Sequence, residues 1–286
     1  MPQPGRVRVG EIEIEYDTAG QGGRPFVIVH GFTGSRDDFS DVIGDLARRG
    51  RTLVPDQRGH GGSTNTGDAP GYTLERLVAD LAGFLDAVGV GRCDLLGHSM
   101  GGMVAMRLAL AHPARVASLV LMDTAPGPLD HVPKAVLDAG AKLAREQGME
   151  ALYHVMRART ASDGAVPPST RRAIERDGAD AWLARIRRKL LAMDPEAFAA
   201  LAERLSEHES VEERLAEIRC PATVIVGAED TPFLAPAERM AARIPGARHV
   251  VIPGAAHSPQ IENRDAWLGA VHAHLDRARD GAARAE

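Results

Sequence analysis

The sequence predicts an α/β fold, a mostly parallel twisted sheet flanked by helices, with an all-helical segment inserted near the middle of the chain. Two patterns lead there. Apolar, strand-like runs alternate with helix-like stretches from Arg6 to about Thr124, and strand signals then vanish until about Ile218. Runs such as Leu119-Val120-Leu121-Met122 and Val224-Ile225-Val226 are apolar throughout instead of alternating, as expected where helices cover both faces of a parallel sheet.

In chain order, residues 7–9 and 11–16 show a period of two and predict an opening hairpin. Residues 26–29 form an apolar strand that opens into the loop His30-Gly31-Phe32-Thr33-Gly34. Leu74, Leu77, Val78, Leu81, Leu85 and Val88 recur at helical spacing, so 73–88 is read as a crossover helix with Thr73 as its N-cap. Residues 93–96 form a short strand running into Gly97-His98-Ser99-Met100-Gly101, and a helix follows that ends before Pro113. Further strands end near Asp123, Asp230 and His257.

In a parallel sheet the carboxyl ends of the strands share one edge, so Ser99, Asp230 and His257 are expected to converge although they lie far apart in sequence. The residue types fit one chemistry. A serine hydroxyl is a poor nucleophile at neutral pH and needs a base; the base needs a carboxylate to hold its tautomer. Gly-x-Ser-x-Gly between strand and helix forces the serine into a tight turn that exposes its hydroxyl and leaves little room at Gly97 or Gly101. The first amides of the following helix point at the reaction centre. Asp123 also follows a strand and is the alternative acid.

With these motifs in this order, the chain resembles the α/β-hydrolase family, in its serine-nucleophile branch. The Asp56-Gln57-Arg58-Gly59-His60-Gly61-Gly62-Ser63 turn resembles another of the family's loops, and the resemblance spans nearly the whole chain apart from the insertion and an Ala/Arg tail after Asp280. It implies an oxyanion hole built from the backbone N–H groups of Phe32, in the His-Gly-x loop, and Met100, after the nucleophile. Ala256 departs from the glycine that the family often carries before its histidine. Members that open epoxides or displace halide carry aspartate at the nucleophile position, so Ser99 argues against both reactions. The expected function is cleavage of a small carboxylic ester, lactone or thioester through an acyl-enzyme on Ser99, without a cofactor. The alternatives are a C–C bond hydrolase, a lyase using the triad as a base, and a ligand receptor without turnover.

The insertion, 126–218, is expected to form a helical cap over the edge that carries Ser99, with 1–125 and 219–286 as the core. Substrate choice is assigned to the cap, with Tyr153, Trp182 and Phe198 as the aromatics that would shape the acyl pocket. A helix over 180–193 has Trp182, Ile186 and Leu190 on one face; Arg185, Arg187, Arg188 and Lys189 are read as a solvated charged face.

Among the eleven histidines, His98 is read as a packed neighbour of Ser99, and His30 and His60 as loop braces. No histidine pair has metal-ligand spacing on a helix, so no metal is expected. A formal charge of −5 with no finger or phosphate-loop pattern excludes a nucleic-acid partner. Two cysteines, Cys93 and Cys220, imply neither a disulfide framework nor a cysteine metal site. No apolar run is long enough to span a bilayer and Met1-Pro2-Gln3-Pro4-Gly5-Arg6 lacks a signal-like apolar stretch, so a cytoplasmic protein acting on a small molecule is expected.

Overall fold

The computed structural model describes residues 2–160 and 166–283; Met1, residues 161–165 of the expected cap and residues 284–286 of the tail lie outside them. Eight strands form one sheet: β1 (Gln3–Val9), β2 (Ile12–Ala19), β3 (Phe26–Val29), β4 (Thr52–Pro55), β5 (Cys93–His98), β6 (Val116–Met122), β7 (Ala222–Gly227) and β8 (Arg248–Ile252). Their spatial order is β1-β2-β4-β3-β5-β6-β7-β8. The predicted hairpin β1–β2 is antiparallel, as is β2–β4, and every later pairing is parallel.

The apolar runs are explained by burial on both faces. Val27, Val29 and Leu95 face one core layer, while Phe26, Ile28 and Leu96 face the other. After the short α1 (Ile43–Leu46), α2 (Leu74–Ala87) and α3 (Met100–Ala111) cover the first layer. The Thr73 hydroxyl caps α2 by accepting from the Arg76 N–H at 3.1 Å, as its sequence position implies.

Between β6 and β7 the described residues contain helices and no strand: α4 (Lys134–Thr160), broken at Gly148, α5 (Pro168–Asp177), α6 (Ala179–Leu191) and α7 (Pro195–Leu205). Then α8 (Thr231–Arg243) follows β7, and the short α9 (Pro259–Glu262) and long α10 (Arg264–Ala283) follow β8. Trp267, Val271 and Leu275 of α10 close the second core layer with Phe39 and Ile43.

The basic face of α6 is not simply solvated. Arg187 pairs with Glu150 on α4, but Arg185, Arg188 and Lys189 pair with Asp41, Asp37 and Asp38, in and beside the helical turn Arg36–Phe39 that follows the Phe32 loop. The Lys189 and Asp38 side chains are 17% and 7% exposed, so this contact is largely desolvated. Helical spacing tells which residues share a face; it does not tell that a loop more than 140 residues away meets that face.

Candidate active site

Ser99 lies at the junction of β5 and α3 with φ 54° and ψ −121°, a left-handed conformation that a non-glycine residue holds only where its surroundings impose it. The surroundings here are backbone and one side-chain hydroxyl. The Ser99 N–H donates to the Met122 carbonyl at 2.9 Å, and the Ser99 carbonyl accepts from the Thr124 hydroxyl at 2.6 Å. Side chains on the flanking glycines would not fit: a Cβ on Gly97 would lie 2.3 Å from the Gly101 carbonyl oxygen, and one on Gly101 2.3 Å from that of Val29. The turn therefore needs both glycines, as the motif implied.

The three residues expected to converge do so. The Ser99 hydroxyl lies 3.1 Å from Nε2 of His257, and Nδ1 of His257 lies 2.7 Å from Oδ2 of Asp230. In the matching tautomer Nδ1–H donates to the carboxylate and Nε2 accepts a hydrogen bond from the hydroxyl. Asp230 follows β7 and precedes α8, where the helix N-terminus favours a negative charge. Phe32 and Met100 both line one cavity, and their backbone N–H groups have no backbone acceptor among the described residues. That cavity, of about 370 Å³, is lined by Ser99, Asp230 and His257 as well.

Asp123, the alternative acid, is not the group on His257 Nδ1. Its Oδ1 accepts from the Gly227 N–H at 2.8 Å. Asp123, Asp230 and His257 are the metal-capable cluster among the described residues. Both ring nitrogens of His257 are already engaged, by Ser99 and Asp230, so the cluster has no free imidazole nitrogen to offer a cation.

The neighbouring histidines hold the frame. His30 accepts from the Gln57 N–H at 3.0 Å through Nε2 and donates to the Gly31 carbonyl at 2.8 Å through Nδ1. Burial pushes its pKa down to about 3, with His60 adding to the effect, which fits the neutral ring this pattern requires. The Nε2 of His60 lies 2.5 Å from the Phe32 carbonyl oxygen. His98 does more than pack: its Nε2–H donates to the His257 carbonyl at 2.7 Å, and burial, then His257, lower it to about 4. No sequence signal marked this bond, because it joins the Ser99 turn to a loop 159 residues away.

The aromatics of the insertion are placed otherwise than expected. None of Tyr153, Trp182 and Phe198 lines the Ser99 cavity. Phe198 stacks on Phe32 with centroids 4.9 Å apart, Tyr153 is buried in the core, and Trp182 borders a separate cleft beside α9. The insertion instead contributes Leu129, His131, Lys189 and Leu205 to the cavity, and the start of α8 contributes Phe233. Residues 129 and 131 lie in a loop without periodicity, so no spacing rule could have selected them. Ala256 sits outside the left-handed region and is buried, so this loop has no need of the family's glycine.

The chain belongs to the alpha/beta hydrolase fold family, whose model matches residues 24–264. A solved enol-lactonase from Burkholderia xenovorans LB400 superposes with a TM-score of 0.80 at 28% identity, covering 95% of this chain and 100% of its own. An esterase from Thermogutta terrifontis gives 0.81 at 29% identity, covering 96% and 99%. An sn-1-specific diacylglycerol lipase of Danio rerio is 39% identical over 119 residues, 40% of this chain and 37% of the lipase. The match spans less than half the length of this and other curated relatives.

Proposed function

We propose that this protein is a serine hydrolase cleaving a small carboxylic ester, lactone or thioester. The observation that carries the reading is the hydrogen-bonded chain from Asp230 through His257 to Ser99, ending at a cavity that Phe32 and Met100 also line. In this reading Ser99 Oγ attacks the acyl carbon as its proton passes to Nε2 of His257. Asp230 keeps Nδ1 protonated and stabilises the imidazolium. The Phe32 and Met100 amides receive the developing oxyanion, each contributing about 3 kcal/mol on the precedent of similar sites. His257 then protonates the leaving group, and water, deprotonated by His257, releases the acid and restores Ser99.

The 126–218 insertion is the proposed cap, because it contributes Leu129, His131, Lys189 and Leu205 to the cavity. Likeness over the full chain to an enol-lactonase and an esterase supports acyl transfer to water as the reaction class. The test is Ser99→Ala, assayed on p-nitrophenyl acetate and a panel of short-chain lactones beside thermal unfolding. Turnover should fall to the residual rate that binding and the amides sustain, with the melting temperature retained. Parental turnover in a folded variant would remove Ser99 from the reaction.

A further inference from the structure

Asp123 shares one property with Ser99: these are the two non-glycine residues with left-handed backbones among those described, Asp123 at φ 46°. Its backbone N–H donates to the Ile225 carbonyl at 3.0 Å and its Oδ1 accepts from the Gly227 N–H. The first bond continues the pairing of β6 with β7, and the second ties the side chain to the end of β7, where the turn to Asp230 begins. The residue is 1% exposed, and its Oδ2 is buried with no donor among the described residues. What lies beside it is a second carboxyl. One oxygen of Asp123, one of Asp230 and a ring nitrogen of His257 all lie within 4.8 Å of one another.

Two carboxyl groups near each other in a buried setting resist ionising together, which favours one of them keeping its proton. The surroundings decide which. Asp230 has the His257 Nδ1–H and the N-terminus of α8 to stabilise a charge. Asp123 has one backbone N–H and an oxygen that meets no donor. We propose that Asp123 is a neutral carboxylic acid at neutral pH whose Oδ2–H donates to Asp230, making it a positioning residue that aims the Asp230 carboxylate at His257.

This rests on the triad reading above. Burial, then the charge of Asp230, raise the Asp123 carboxyl well above the usual carboxylate range, against the lowering influence of the Gly227 N–H. The ionisable groups that face it are Asp230 before α8, His257 after β8 and Glu262 on α9; both acids favour its neutral form.

The decisive variant is Asp123→Asn, because asparagine tolerates the left-handed backbone, can accept from Gly227 and donate to Asp230, and takes up no proton. A group protonated in the folded state but ionised in the unfolded one makes stability fall as pH rises above the ordinary carboxylate value. Relative to the parent, Asp123→Asn should therefore gain melting temperature steadily between pH 5 and pH 8. A difference that stays flat, or that turns against the variant as pH rises, overturns the proposal.

Turnover gives a second arm. Asp123→Asn should stay within about tenfold of the parent, while Asp123→Ala, which removes the donor, should lose about tenfold more and move the acid limb of the pH–rate profile to higher pH. An acid limb that moves to lower pH in Asp123→Asn means that a negative charge was lost beside His257, and refutes a neutral Asp123. If the parent shows no turnover, the triad reading fails, and the melting comparison still decides the state of Asp123. If neither variant folds, infrared spectra of the parent at pH 7 serve: a protonated carboxyl band supports the proposal and its absence overturns it.

Discussion

Ser99 combines a strained backbone with a hydroxyl that must face the cavity, and the strain is held by groups around it that carry no reactive side chain. That predicts a division of labour among its neighbours. Gly101→Ala should destabilise the fold by about 3 kcal/mol or prevent it, because the added carbon meets the Val29 carbonyl, which belongs to a central strand. Chemical denaturation measures this; a cost below about 0.5 kcal/mol would show that the turn relaxes freely. For the acids, Asp230→Asn should slow turnover by up to about ten-thousand-fold, as loss of the tautomer-fixing carboxylate does elsewhere. Asp123→Asn should cost far less, since Asp230 is the group bonded to Nδ1 of His257. Comparing kcat/KM for the two variants checks the ranking, and the reverse order would make Asp123 the acid.

The convergence of Ser99, Asp230 and His257 was legible because each follows a strand of a parallel sheet, where chain order and spatial edge are tied. The bond from His98 to the His257 carbonyl and the contact between Asp123 and Asp230 were not. Both depend on how two loops from different strands pack, and a single sequence carries no signal for that.

At the level of elements, α6 and the turn after the Phe32 loop are joined by Arg185, Arg188 and Lys189 to Asp41, Asp37 and Asp38. α5 meets the segments that follow β7 and β8: Glu229 accepts from the Ser169 N–H and pairs with Arg172, while Glu262 accepts from the Thr170 hydroxyl. The insertion is thus tied to the segment after β3 and to those after β7 and β8. Of these contacts the Lys189–Asp38 pair is the most desolvated, and its energetics are asymmetric.

Lys189→Met leaves Asp38 buried without its cation and should cost about 3 kcal/mol, whereas adding Asp38→Asn should recover most of that loss. Thermal unfolding of the two singles and the double measures the coupling, and strictly additive losses would contradict it. The pH dependence follows from the same pair. Burial would raise the Asp38 carboxyl, but the Lys189 ammonium outweighs it and holds the group below its ordinary value. A depressed folded value stabilises above the unfolded one, about 3.9, and that contribution is lost as pH falls through the folded value. The deficit of Lys189→Met should accordingly be largest near neutral pH and shrink in acid.

For the whole molecule, the sequence pattern revealed an α/β core interrupted by helices. What it did not reveal is which insertion residues face the cavity, because α4 to α7 pack mainly on one another and on the core through the apolar stripes that periodicity detects. Leu129 and Leu205 reach the cavity while Trp182 does not. Replacing Leu129 or Leu205 with alanine should therefore shift relative rates across acyl-chain lengths towards longer chains, and Trp182→Ala should leave that profile in place. Rates on a graded series of p-nitrophenyl esters test both, and a changed profile in Trp182→Ala alone would place selection at the cleft beside α9.

Covalent labelling tests most directly whether Ser99, activated by His257 and Asp230, is the nucleophile. The folded protein should react with a fluorophosphonate probe in one-to-one stoichiometry, peptide mass spectrometry should place the adduct on Ser99, and His257→Ala should abolish labelling while the protein stays folded. An unlabelled native protein, or an adduct on another residue that persists in Ser99→Ala, would contradict the account.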